Sequence, residues 1–207
     1  MRIMADQVLT AERKSTCAYL AESRDVVQLA MDDEAFLVSL EASVDAIAHS
    51  LAAGGKLLTC GNGGSAGDAQ HIAGEFISRL NYDRAPAAAI ALTVDTSVIT
   101  AVGNDYGYDK VFERQVLGLG RPGDVLLAIS TSGRSPSILK AMDAGREKGL
   151  IVIGLTGRTG GSMPERSDII VHAPSDSTPL IQQVHIMAAH IVCGLVEERL
   201  FPRPATT

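Results

Sequence analysis

KLLTCGNGGSAGDAQHIAGEF, residues 56–76, decides the fold. A short apolar run leads into a glycine-rich turn, and helical spacing follows. This is the strand-to-helix join of an α/β unit. His71 and Glu75 are four positions apart, so the helix brings an imidazole and a carboxylate to one face. That pair suits proton transfer or metal binding. The unpaired N–H groups at the helix start suit an anion or a sugar hydroxyl. The competing structural reading is an amphipathic helix with Glu75 solvated and His71 hydrogen-bonded.

The same texture recurs downstream. AAIAL (88–92), DVLLAIS (124–130), LIVIGLT (150–156) and DIIVH (168–172) are short, nearly continuous apolar runs separated by helical stretches. Together with KLLTC they predict parallel strands buried on both faces and joined by helices. Glycine and serine follow three of them: GNGGS, TSGRS and GRTGG. In an open α/β sheet, ligands bind outside the carboxyl ends of the strands.

Upstream, residues 8–53 carry few breakers. Leu20, Val27, Leu29, Phe36, Leu37, Leu40, Val44, Ile47 and Leu51 fall at three- and four-residue steps. This predicts two helices, broken near Met31-Asp32-Asp33, with Gly54-Gly55 ending the second. The tail, 178–201, reads as a last helix with Pro179 in its first turn. It is apolar around most of its circumference, so it is buried on several sides. With the N-terminal helices it could build a bundle between subunits, which predicts an oligomer. The simplest organisation is a single domain over 1–207: a helical extension at 8–53, then a sheet core and terminal helix at 55–200.

At 207 residues and 46% hydrophobic, the chain can bury a real core. Its formal charge of −6, without a basic run, argues against a nucleic-acid partner. Three scattered cysteines, Cys17, Cys60 and Cys193, fit a reducing compartment. The start resembles no signal peptide, and no continuous apolar stretch approaches the roughly 18 residues of a membrane span. A soluble cytoplasmic protein is expected.

Other residues can carry chemistry. STSGRS, 130–135, offers the hydroxyls of Ser130, Thr131, Ser132 and Ser135 beside a helix start, which suits a phosphate. It is neither a P-loop nor a Rossmann fingerprint, so a small phosphorylated metabolite fits better than a nucleotide. On the last helix, His185 and His190 are about 140° apart and do not share a site. His190 lies among small and apolar residues and is expected to be buried. In GNDYGY, 103–108, Asn104 and Asp105 read as a plain turn.

Taken together, GNGGSAGDAQHIAGEF, GNDYGYDKVF, GDVLLAISTSGRS and IQQVHIMAAHIV resemble the phosphoheptose isomerases (sedoheptulose 7-phosphate isomerases) of the sugar-isomerase, or SIS, superfamily. The resemblance runs from about residue 35 to 200. It implies a flavodoxin-like, open five-stranded parallel sheet flanked by helices, in a homotetramer with active sites between subunits. It implies conversion of sedoheptulose 7-phosphate to glycero-manno-heptose 7-phosphate, the opening step towards activated heptose for bacterial surface polysaccharide. By resemblance, one zinc ion per subunit falls on His71, Glu75, Gln182 and His190. The phosphate falls on Ser130, Thr131, Ser132 and Ser135. Further substrate contacts fall on Asn62, Gly63, Gly64, Asn104, Asp105 and Gln182, with Ser65 and Arg79 as nearby polar positions. Glu75 becomes the base and also meets substrate; His190 becomes the acid.

Gln182 and His190 are eight apart, about 12 Å of helix rise, so they meet at one ion only if their side chains converge. Some family members carry Asp three residues before that glutamine, where this chain has Pro179. Two rivals stand beside the isomerase. One is a non-catalytic SIS regulator that binds a replication initiator protein; it lacks the carboxylate and histidine found here as Glu75 and His190. The other is an aminosugar isomerase or etherase of the same fold.

Overall fold

The computed structural model describes residues 10–203. Residues 8 and 9 of the expected helical extension, and both ends of the expected 1–207 domain, lie outside that range. Two long helices come first, α1 (Ala11–Met31) and α2 (Glu34–Ala52). The break falls where expected: the Asp33 carboxylate accepts from the N–H groups of Ala35 and Phe36 and starts α2. Then follow β1 (Leu57–Gly61), α3 (Gly64–Ile77), β2 (Ala89–Ala91), α4 (Thr96–Tyr106) and α5 (Glu113–Leu119). The rest is β3 (Val125–Ser130), α6 (Pro136–Glu147), β4 (Ile151–Thr156), β5 (Ile169–His172) and α7 (Thr178–Leu200).

All five expected strands form one parallel sheet in the order β2-β1-β3-β4-β5. This is the flavodoxin-like order, and its switch point falls between β1 and β3. Alternate residues of each strand serve opposite faces. Leu57, Val125, Leu127, Ile129 and Ile153 meet the face built by α2, α3 and α7. Leu58, Cys60, Leu126, Ala128 and Val152 meet the α4–α6 face. Each fully buried large side chain, such as Leu57 or Leu126, contributes roughly 1.5–3 kcal/mol. The edge of the sheet departs from the doubly buried pattern, since Ile90 in β2 is exposed.

One expectation needs correction. Asn104 and Asp105 do not form a turn; they belong to the last turn of α4, which continues to Tyr106 and stops at Gly107, φ 97°. The apolar face of the helix outweighs their turn preference. In addition, α2 and α7 are each long and apolar enough to cross a membrane by length and composition. Both instead line the sheet and pack on each other, which is the behaviour of core helices.

Candidate active site

The glycine-rich turn after β1 sets α3 against α7. A Cβ on Gly64 would come within 2.3 Å of the Gln182 Nε2, so the start of α3 lies directly against the end of that side chain. Farther along the same two helices, His71 and Glu75 of α3 face His190 of α7. The Nε2 atoms of His71 and His190 are 2.8 Å apart. His71 Nε2 is 3.2 Å from Glu75 Oε1. The ligand atoms of all three lie within 4.8 Å of one another.

His190 is exposed, not buried as expected. The buried histidine is His185, whose Nε2 meets the carbonyl of Thr156 at 3.1 Å. Helical geometry separates the two by about 140°, so burying one turns the other out of the core. Burial lowers the pKa of His185 to about 4, against the opposing effect of its Thr156 bond. His185 is a neutral core residue, and His190 is free for chemistry.

The donor set is two imidazoles and a carboxylate, which suits zinc. Tetrahedral zinc with bonds near 2 Å sets its ligand atoms about 3.3 Å apart. The observed spacings of 2.8 and 3.2 Å come within about half an ångström of that value. Gln182 lies nearer the start of the same helix pair. Its carboxamide lies against Gly64, and about 10 Å of α3 separates Gly64 from His71.

The serine-rich loop expected to hold a phosphate lies at the carboxyl end of β3. Ser130 closes the strand, Ser135 caps α6, and their hydroxyl oxygens are 3.3 Å apart. Gly133 (φ 62°) brings this loop hard against the GRTGG loop; a Cβ there would sit 1.9 Å from the Gly160 oxygen. The expected cradle is therefore built on backbone-to-backbone packing. A pocket of about 160 Å³ adjoins it, lined among others by Thr131, Ser132, Arg134, Arg158, Thr159 and Thr178. Two guanidinium groups give it an anion-compatible character, although Arg158 is already paired with Asp176 at 3.1 Å.

Asn62 directly follows β1. Its Nδ2 donates to Ser137 Oγ at 3.0 Å. Ser65 is buried in the first turn of α3, and Gly63 is exposed at the turn. Asn104 Nδ2 donates to Asp105 Oδ1 at 2.7 Å. Arg79 is exposed just beyond α3.

Three features are absent from the sequence reading. Arg84 and Glu197 form a buried ion pair of 3.1 Å. Arg84 also caps the carbonyls of Glu75 and Phe76, and Glu197 accepts from the N–H groups of Leu80 and Asn81. Asp68, one turn before His71, has its carboxyl pKa raised by burial, with His71 pulling the other way. The third is Tyr108, whose hydroxyl donates to Asn62 Oδ1 at 2.9 Å. The i, i+3 spacing of Asp68 and His71 was a readable signal; the partners of Arg84, Glu197 and Tyr108 are too distant in sequence to be one.

Comparison with known proteins agrees with this geometry. Residues 18–157 match the family model of the SIS domain. The chain is 57% identical to a phosphoheptose isomerase of Bradyrhizobium sp. (strain ORS 278) over 182 residues, covering 88% of this chain and 92% of that protein. It is 52% identical to one of Burkholderia pseudomallei (strain 1710b), with the same coverage. Among solved structures, phosphoheptose isomerase GmhA from Neisseria gonorrhoeae superposes with a TM-score of 0.85 at 40% identity, covering 91% of this chain and all of that one.

Proposed function

This chain belongs to the phosphoheptose isomerase family, a group of SIS-domain sugar-phosphate isomerases, and from that premise we propose that it converts sedoheptulose 7-phosphate to glycero-manno-heptose 7-phosphate. The observation that carries the reading is the convergence of Glu75, His71 and His190, from helices far apart in sequence, at one exposed point.

The Glu75 carboxylate takes a proton from C1 of the ketose while His190 gives one to the carbonyl oxygen on C2. An enediol results. Glu75 then returns its proton to C2, and His190 recovers one from the C1 hydroxyl, leaving the aldehyde. Glu75 Oε1 faces His71, so Oε2 is the oxygen for the carbon-bound proton. The His71 and His190 Nε2 atoms face each other at 2.8 Å, so the proton that His190 moves is carried on its other ring nitrogen, Nδ1. Zinc held by His71, Glu75 and His190, with Gln182 as a further donor by family resemblance, would supply Lewis-acid polarisation of the C1 and C2 oxygens.

Ser130, Thr131, Ser132 and Ser135 would hold the phosphate at the start of α6. Asn62, Gly63, Gly64, Ser65, Arg79, Asn104, Asp105 and Gln182 complete the proposed substrate contacts. We further propose a cytoplasmic homotetramer with sites between subunits. Exposed Leu29, Met31, Leu37, Ile191 and Leu195 support an oligomer, because α1, α2 and α7 present an apolar surface to be covered. Incubating zinc-loaded protein with sedoheptulose 7-phosphate and following the aldose product by NMR tests the reading. Turnover supports it; none with metal-replete protein favours a binding module.

A further inference from the structure

We propose that Tyr108 is a positioning residue of the substrate site, acting through Asn62. This rests on the isomerase reading above, in which Asn62 touches the sugar. Tyr108 opens a short 3-10 turn, Tyr108–Lys110, and its ring is largely exposed. Little packing fixes the phenol, yet its hydroxyl donates to Asn62 Oδ1 at 2.9 Å. The other end of the same amide donates from Nδ2 to Ser137 Oγ at 3.0 Å. Ser137 is buried in the first turn of α6, two residues past the cap at Ser135. The 3-10 turn is itself fastened to α6 by an ion pair between Asp109 and Lys140.

The amide of Asn62 is therefore pinned at both ends across the switch point between β1 and β3, where ligands enter this class of sheet. Its bonding capacity is then nearly assigned. One of two N–H hydrogens goes to Ser137, and one of two carbonyl lone pairs is filled by Tyr108. One N–H and one lone pair remain, in a fixed plane, for a substrate hydroxyl. Without the phenol oxygen the amide is held at one end only and turns about its side-chain bond. The sugar then has to order it on binding, which weakens affinity more than chemistry.

Steady-state kinetics of Tyr108→Phe with sedoheptulose 7-phosphate test this. The loss of one neutral hydrogen bond raises KM roughly two- to tenfold, with a smaller change in kcat and an unchanged melting midpoint. In an Asn62→Ala background, Tyr108→Phe adds no further rise, because the residue through which it acts is gone. An unchanged KM in Tyr108→Phe, or the same rise on top of Asn62→Ala, overturns the positioning role while leaving the isomerase reading intact. Absence of turnover by the unmodified protein overturns both.

Discussion

The Nε2 of His190 lies 2.8 Å from the Nε2 of His71, 119 positions earlier in the chain. Only the parallel packing of α3 on α7 makes the two neighbours, and Glu75 completes the group one helical turn on from His71. A ligand binding the folded state alone raises stability by about 2.7 kcal/mol at a hundred times its dissociation constant. Zinc is expected to raise the melting midpoint of the native protein on that scale. In His71→Ala the shift should be lost; a full zinc shift in that variant would remove His71 from the ligand set.

The Arg84–Glu197 pair should be a main tie between the end of α3 and α7. Removing one partner of a buried pair costs about 3–5 kcal/mol. Glu197→Gln also weakens the bonds to Leu80 and Asn81, so a loss in that range is expected from urea unfolding. A loss below 1 kcal/mol would show that the tie contributes little.

Stability should fall on mild acidification. His185 has a folded pKa of about 4, below the ordinary histidine value of 6.5, so between those values the unfolded chain binds the extra proton. Its contribution is complete above pH 6.5 and is lost as pH falls towards 4, up to about 3 kcal/mol. Glu197 adds a loss below the ordinary carboxylate range. Burial raises its pKa, but the Leu80 and Asn81 N–H groups and Arg84 together lower it below its usual value. Asp68, shifted upwards, acts in the opposite sense. In His185→Gln the stability curve between pH 6.5 and 5 should flatten, as measured by urea unfolding; an unchanged slope would assign the loss elsewhere.

The apolar surface on α1, α2 and α7 gives a test of assembly. Ile191→Asp and Leu195→Asp place charge on it without entering the core, since both side chains are exposed. Sedimentation should then show a smaller species than the native oligomer, with secondary structure retained. A native chain that sediments as a monomer would contradict the tetramer.

The sheet was legible because each strand is a short apolar run ending in small or polar residues, and parallel strands leave that mark. The His71–Glu75 pair was legible because helical spacing is local. His190 was misjudged because α7 is apolar on most sides, and sequence alone does not say which of its two histidines faces the core. Asn104 and Asp105 looked like a turn because short polar residues often make one; here the apolar face of α4 extends the helix through them. The Arg84–Glu197 tie and the Tyr108–Asn62 bond join segments brought together only by the fold, so no local spacing announces them.

The central claim is that Glu75 moves the proton between C1 and C2. Turnover of sedoheptulose 7-phosphate by zinc-loaded Glu75→Gln, with its oligomer and zinc content verified, tests it most directly. Loss of at least a hundredfold in kcat is expected, since general acid–base catalysis contributes roughly 10²–10⁴. Near-native turnover by that variant would contradict the account.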